Sequence, residues 1–409
     1  MDFYPVENYR PRQHPENFVL LFPDPHSTIM KLLSIFFLIP FFANLHRPMQ
    51  QPASQFLFVG TYTSGESEGI YVYKFDPATG LFTHVSTAKG LSNPSFLTIA
   101  PDKKHVYAVS EFGKDRTGSV YAFSFDAASG QLQLLDQQDG VGSGPCHINM
   151  DKAGKFAITG NYAGGSVSVM PIQADGTVGA TAQTIIHTGS SIVASRQQAP
   201  HVHSINFSPD GKQVFVPDLG IDKIMVYDFL ASHPIAPLRP AAVPSVSIEP
   251  GGGPRHFTFH PNGRHAYVVH EISGKVTAFR YGNGALEPVQ TISGAPADYK
   301  GTVFSSADIH VSPDGKHLYM SNRGELNNIS IFTIDAATGK LALTGHQPSG
   351  GKHPRNFLIH PSGKYLLAAN QNGHNIVVFS RDAATGLLTP TGQEIKVPSP
   401  VCLKMLITE

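Results

Sequence analysis

FSPDGKQVFVPDL (207–219), FHPNGRHAYVVHE (259–271), VSPDGKHLYMSNR (311–323) and IHPSGKYLLAANQ (359–371) are four readings of one unit. Each is an apolar stretch, a proline–glycine turn and a second apolar stretch. IAPDKKHVYAVSE (99–111) and MDKAGKFAITGNY (150–162) repeat it with changes at the turn. The turn has a physical basis. Proline sets φ at the first corner, Asp or Asn bonds the local backbone, and Gly supplies a positive φ. Aligned on Lys103, Gly154, Gly211, Gly263, Gly315 and Gly363, the units are spaced by 51, 57, 52, 52 and 48 residues. A period near fifty with four short strands per unit is the signature of a β-propeller.

A second turn follows the first in most units. It reads FDPATGLF (75–82), FDAASGQL (125–132), YGNGAL (281–286), IDAATGKL (334–341) and RDAATGLL (381–388). These segments are expected to be hairpins between the two outer strands of a blade. Six units are complete and a partial one stands at each end. FLFVGTYT (56–63) matches a second strand with no inner strand before it, and SPVCLKMLI (399–407) matches an inner strand. Joined, they make a seventh blade and leave no free edge. The expected fold class is therefore all-β, a seven-bladed β-propeller over 54–409, closed by pairing the C-terminal strand with the N-terminal blade. No linker supports two independent β domains. No long segment of helical period supports an all-α or α/β fold.

Ahead of the propeller, residues 1–29 show no period and read as a non-native or disordered leader. Met30-Lys31 then opens an apolar run, Leu32–Phe42, too short to span a bilayer comfortably. Residues 30–53 resemble a signal peptide, with Ala43 and Ala53 as cleavage positions. Export to the periplasm or outside the cell is expected, with a cytoplasmic protein carrying a disordered leader as the alternative.

Composition removes several classes. The chain carries 30 basic and 30 acidic residues, so no electrostatic footprint for nucleic acid or an anionic membrane appears. Cys146 and Cys402 are too few and too distant for a disulfide framework, and no CxxC pair suggests zinc. His201 and His203 form an HxH pair, a common ligand spacing, but no third ligand stands at a persuasive distance in sequence. No metal and no cofactor are expected. Tryptophan is absent, which argues against interaction propellers with a tryptophan–aspartate signature and against quinone-cofactor propellers with tryptophan-rich motifs. The oligomeric state stays open.

Topology locates the chemistry. Each inner strand begins at one face of the disc and the second strand returns to end there. Inner-strand starts hold Cys146, His203, Arg255, Ala307, Arg355 and Val401. Second-strand ends hold Glu111, Tyr162, Leu219, Glu271, Arg323 and Gln371. Several arginines around one mouth suit an anionic ligand, because guanidinium forks bind carboxylate and phosphate. A histidine or glutamate beside them suits general-base work.

The runs PHVHSINFSPDGKQVFVPDLGIDKI (200–224), GGGPRHFTFHPNGRHAYVVHE (251–271), SSADIHVSPDGKHLYMSNR (305–323) and HPRNFLIHPSGKYLLAANQ (353–371) resemble the seven-bladed lactonase family, which contains 6-phosphogluconolactonases and a carboxymuconate-lactonizing cyclase. The resemblance covers roughly residues 55–407. Its cyclase branch implies a catalytic histidine, two arginines and a glutamate, carried over here as His203 (or His201), Arg255, Glu271 and Arg323. His201, Asp218, His256, Asp308, His310, Arg355 and Asn356 are the expected substrate-binding residues. Asp218 is expected to orient a histidine or cap a loop. The expected partner is a small anionic or sugar lactone. Three activities fit: a lactone hydrolase of 6-phosphogluconolactonase type, a lactonizing cyclase, and a non-catalytic ligand-binding propeller.

Overall fold

The computed structural model describes residues 53–77, 79–112 and 117–408. The leader read at 1–29 and the signal-like segment at 30–53 lie, but for Ala53, outside the described residues. The rest is built from seven four-stranded antiparallel sheets, as the repeat predicts. Among the described residues the only named helical element is one 3-10 turn, Gln371–Gly373. No helix there is long and apolar enough to cross a membrane.

In the fifth blade the strands run Pro254–Phe259, His265–His270, Lys275–Gly282 and Ala285–Ser293, from the channel outward. The sixth (Ser306–Val311, His317–Asn322, Asn328–Ile334, Leu341–Pro348) repeats the plan. The second strands HAYVVH and HLYMSN are buried at every residue. They lie between neighbouring blades, and their central residues (AYVV and LYM) are apolar without the alternation of a half-exposed strand. The proline–glycine turns close identically. Residue i+3 donates its N–H to residue i in Gly211→Ser208, Gly263→His260, Gly315→Ser312 and Gly363→His360, all at 2.7–2.9 Å. Their glycines lie at φ between 68 and 73°. In the second blade Lys103 stands at this corner with φ 61°, the left-handed region that Gly elsewhere fills without strain.

Blades are latched to one another as well as packed. The buried hydroxyls of Tyr107, Tyr267 and Tyr319 each donate to a glycine carbonyl in the outer hairpin of the next blade: Gly176 at 2.9 Å, Gly339 at 3.0 Å and Gly386 at 2.7 Å. One tyrosine thus fills the interface and satisfies its own polar end.

Closure follows the expected route. Pro400–Ile407 pairs antiparallel with Gln55–Thr61, with Phe58 opposite Lys404 and Gly60 opposite Cys402. This strand buries Val401, Cys402, Leu403 and Leu406. At roughly 1.5–3 kcal/mol per buried apolar side chain, its packing rivals the whole stability of a typical domain, about 5–15 kcal/mol. Removing residues 399–409 should abolish the cooperative thermal transition in circular dichroism. A midpoint within a few degrees of the full chain would show that closure contributes little.

Candidate active site at the mouth of the channel

A β-bulge opens each of several inner strands. The register shifts between Pro145 and His147, Pro254 and Phe257, Ser306 and Ile309, and Pro354 and Asn356. A bulge re-aims consecutive side chains that a regular strand would send to opposite faces. In two of them the residue after the proline, Cys146 or Arg355, lines a cavity at the mouth, and the next residue, His147 or Asn356, lines another cavity further along the channel. The channel is thus divided into two layers.

The mouth cavity measures about 360 Å3 and is lined by Tyr62, Glu111, Cys146, Tyr162, His203 and Arg323, together with Phe112, Arg196, Glu271, Ser305 and Arg355. Its centre of charge is Glu271. Oε2 of this carboxylate lies 2.8 Å from Arg255 Nε and 3.0 Å from Arg323 Nη2, and Oε1 meets Arg196 Nη2. The Arg255 contact is ionic and lies off the N–H axis. Arg255, 1% exposed, also donates from Nη1 to the Ala307 carbonyl at 2.6 Å. Arg323 Nε donates to the Ser305 carbonyl at 3.0 Å. Burial alone would raise the Glu271 pKa, but Arg323, Arg255 and Arg196 prevail and hold it far below the carboxylate range. Burial, opposed by Glu271, takes the Arg323 guanidinium down to about 9.

Across the cavity Tyr62 donates to Glu111 Oε2 at 2.7 Å, and the Arg355 guanidinium lies 5.3 Å from the centre of the Tyr62 ring. Among the described residues, the charged groups that line this cavity are Arg196, Arg323 and Arg355 against Glu111 and Glu271, an excess of one positive charge, and Arg255 stands against Glu271. Neighbouring His353 registers this field: burial first, then Arg323, Arg355 and Arg255, push it down to about 4.

His203 is 4% exposed and lies with its Nδ1 3.7 Å from Cys146 Sγ. Burial, then Arg255, His256 and Arg355, lower its pKa well below that of an ordinary histidine. Burial pushes the Cys146 thiol up to about 12, so it is not a ready nucleophile at neutral pH. His201 stacks on Tyr162 with ring centres 4.4 Å apart and bonds the Tyr162 carbonyl through Nδ1 at 2.9 Å. It orders one wall without being among the residues that line the cavity.

The structure therefore brings Glu271, Arg255 and Arg323 into direct contact, with His203 and Arg355 at the same cavity. The other expected binding residues lie elsewhere. His256, Asp308, His310 and Asn356 line the second cavity. Asp218 is fully buried, accepts from the His201 and Gly220 N–H groups at 2.7 and 3.0 Å, and lies 2.7 Å from His187 Nδ1. Its carboxylate orders the turn that carries the histidines.

Arg196 and Tyr62 are site residues that the repeats do not single out. Arg196 sits in the long 188–199 loop, outside the repeat. Tyr62 ends the second strand of the partial first unit, the slot that holds Glu111 and Glu271 in other blades. Among the described residues no group of three or more His, Cys, Asp or Glu is arranged to hold a metal ion.

The comparisons agree with this fold. The family model described as "Lactonase, 7-bladed beta-propeller" matches residues 56–405. A 6-phosphogluconolactonase of Formosa agariphila is 40% identical over 327 residues, 78% of this chain and 90% of the relative. A 6-phosphogluconolactonase of Bacillus subtilis is 36% identical over 354 residues, 85% and 97% of the two chains. Among solved structures, the periplasmic gluconolactonase of Pseudomonas aeruginosa superposes with a TM-score of 0.83 at 38% identity, over 87% of this chain and all of that one. With a matching model over most of its length and a mouth of clustered arginines and glutamate, the chain belongs to the seven-bladed β-propeller lactonase family.

Proposed function

We propose that the protein is a lactone hydrolase of 6-phosphogluconolactonase type that opens a sugar lactone by water attack in the mouth cavity. The observation that carries this reading is one cavity holding a neutral imidazole, His203, beside the guanidiniums of Arg323 and Arg355. Family membership and the names of the relatives support it.

Division of labour follows from the electrostatics. Glu271 is held by three arginines and is too weak a base to take a proton from water. His203 stays neutral at pH 7 and is the general base, with Nε2 the nitrogen that meets the water. The water oxygen bonds to the lactone carbonyl carbon as its proton passes to His203. The carbonyl oxygen becomes an oxyanion, stabilised by Arg323. Collapse breaks the ring C–O bond, and the leaving alkoxide takes the proton back from the imidazolium. The product is the open hydroxy acid. Arg255 and Glu271 are positioning residues that hold Arg323 in register. The excess positive charge favours lactones bearing an anionic group, and Arg355 is the residue assigned to that group. A lactonizing cyclase would instead bond a substrate carboxylate oxygen to one carbon of a carbon–carbon double bond while the adjacent carbon gains a proton, so an assay panel includes muconates.

His203→Gln and Arg323→Met should each lower kcat for gluconolactone or its 6-phosphate by roughly 100-fold or more, while Cys146→Ser stays near the parent. Arg355→Met should raise KM for the phosphorylated lactone by about tenfold and change the neutral one less. Unaltered turnover in His203→Gln removes the base assignment, and parent-chain rates at the buffer level for both lactones remove the hydrolase reading.

The pH dependence has a definite sign. His203 binds its proton only well below the ordinary histidine pKa of about 6.5. Base competence is therefore kept as pH falls through that value and lost at lower pH. The acid limb of kcat/KM should lie clearly below pH ~6.5; a limb centred at or above it would speak against His203. Export is part of the same proposal, resting on the charge and apolar run that begin at Met30. Native protein should start near residue 44 or 54, and intact material beginning at Met1 or Met30 would contradict it.

A further inference from the structure

The second cavity, about 170 Å3, lies in the channel beyond the mouth and plays no part in the lactone chemistry above. Its walls include Phe96, His147, His256, Asp308, His310 and Lys404. Asp308 is the hub. Its Oδ1 accepts from His256 Nδ1 at 2.7 Å and from the Ile309 N–H at 3.0 Å. Its Oδ2 accepts from His310 Nε2 at 3.0 Å, from the Phe357 N–H at 3.2 Å and from Asn356 Nδ2. Five donors saturate the carboxylate and leave it little capacity for a cation.

The groups around it are not saturated. His147 Nδ1 accepts from the Ile205 N–H at 3.3 Å, which puts the ring proton on Nε2. His256 donates from Nδ1 to Asp308, which leaves a lone pair on Nε2. The two residues are 8% and 7% exposed, and neither Nε2 has a hydrogen-bond partner among the described residues. Burial lowers the pKa of both, so both are neutral at pH 7. The Lys404 ammonium lies 4.6 Å from the centre of the Phe96 ring and, among the described residues, meets no carboxylate within ion-pair distance. Phe96 in turn stacks on His147 with ring centres 4.0 Å apart. One small chamber thus offers an ammonium without a direct carboxylate partner, an imidazole N–H donor and an imidazole acceptor, while the oxygens of its carboxylate, Asp308, are already taken.

We propose that this chamber is a binding site, separate from the lactone site, for a small oxyanion that also carries a hydroxyl: hydrogenphosphate or a short hydroxycarboxylate. The anionic oxygens meet Lys404 Nζ and His147 Nε2–H, and the hydroxyl donates to His256 Nε2. An anion without a hydroxyl leaves His256 unpartnered. A cation finds no free carboxylate oxygen on Asp308. The site does not depend on what the mouth hydrolyses.

The test is calorimetric titration of the folded chain with inorganic phosphate and, separately, with lactate. The mouth arginines also attract anions, so Arg355→Met is titrated in parallel. Two binding events are expected. Lys404→Met should weaken one of them by tenfold or more, Lys404→Arg should retain it, and Arg355→Met should affect only the other. Phosphate alone or lactate alone at the Lys404-dependent event identifies the ligand class, and both outcomes support the site. A single event indifferent to Lys404→Met, or no event, overturns it. Should Lys404→Met not fold, histidine 15N resonances of the parent chain decide. Saturating phosphate and lactate that both leave the Nε2 signals of His147 and His256 unmoved also overturn the site.

Discussion

One carboxylate organises the mouth. Glu271 is 5% exposed and is shared by Arg196, Arg255 and Arg323. These come from a loop before the fourth blade, the inner strand of the fifth and the second strand of the sixth. Buried guanidiniums are tolerable only when paired, and removing one partner of a buried pair commonly costs about 3–5 kcal/mol. The cluster therefore exists as a unit or not at all. It needs blades in fixed register, and the tyrosine latches and the closing strand supply that register. The link from fold to chemistry runs through this requirement: rigid neighbours allow a charge cluster, and the cluster fixes the guanidiniums that face substrate.

The same cluster decides which group can move a proton. A carboxylate beside three guanidiniums is acidic and inert as a base. The histidine beside the same guanidiniums is kept neutral first by its burial and then by their charge. Burial and the arginines together select His203 from the titratable groups of the mouth. The arginines do so while leaving excess positive charge for an incoming anionic group.

Much of this was legible in sequence because propeller repeats align equivalent positions. Arg255, Glu271 and Arg323 each occupy a strand-end slot, and the turn sequences place those slots on one face. Two things were not legible. The first is the contribution of Arg196, which sits on a loop with no counterpart in other blades. Only the length of that loop distinguished it. The second is the layering of the channel. Adjacent residues such as Arg355 and Asn356 go to different cavities because a bulge lies between Pro354 and Asn356. Nothing in the strand sequence announces a bulge, so His256, Asp308, His310 and Asn356 read as neighbours of the mouth when they form a separate layer. Asp218 shows a third limit: a buried carboxylate at a strand end looks the same in sequence whether it meets a ligand or, as here, holds backbone amides.

The most direct measurement is a crystal structure of the protein with the open hydroxy acid, gluconate or its 6-phosphate, bound. The account predicts the ligand in the mouth cavity, its carboxylate against Arg323 and within hydrogen-bond reach of His203, and the phosphate of the 6-phosphate against Arg355. A ligand seated on the opposite face of the disc, or in the mouth but away from these three side chains, would contradict it.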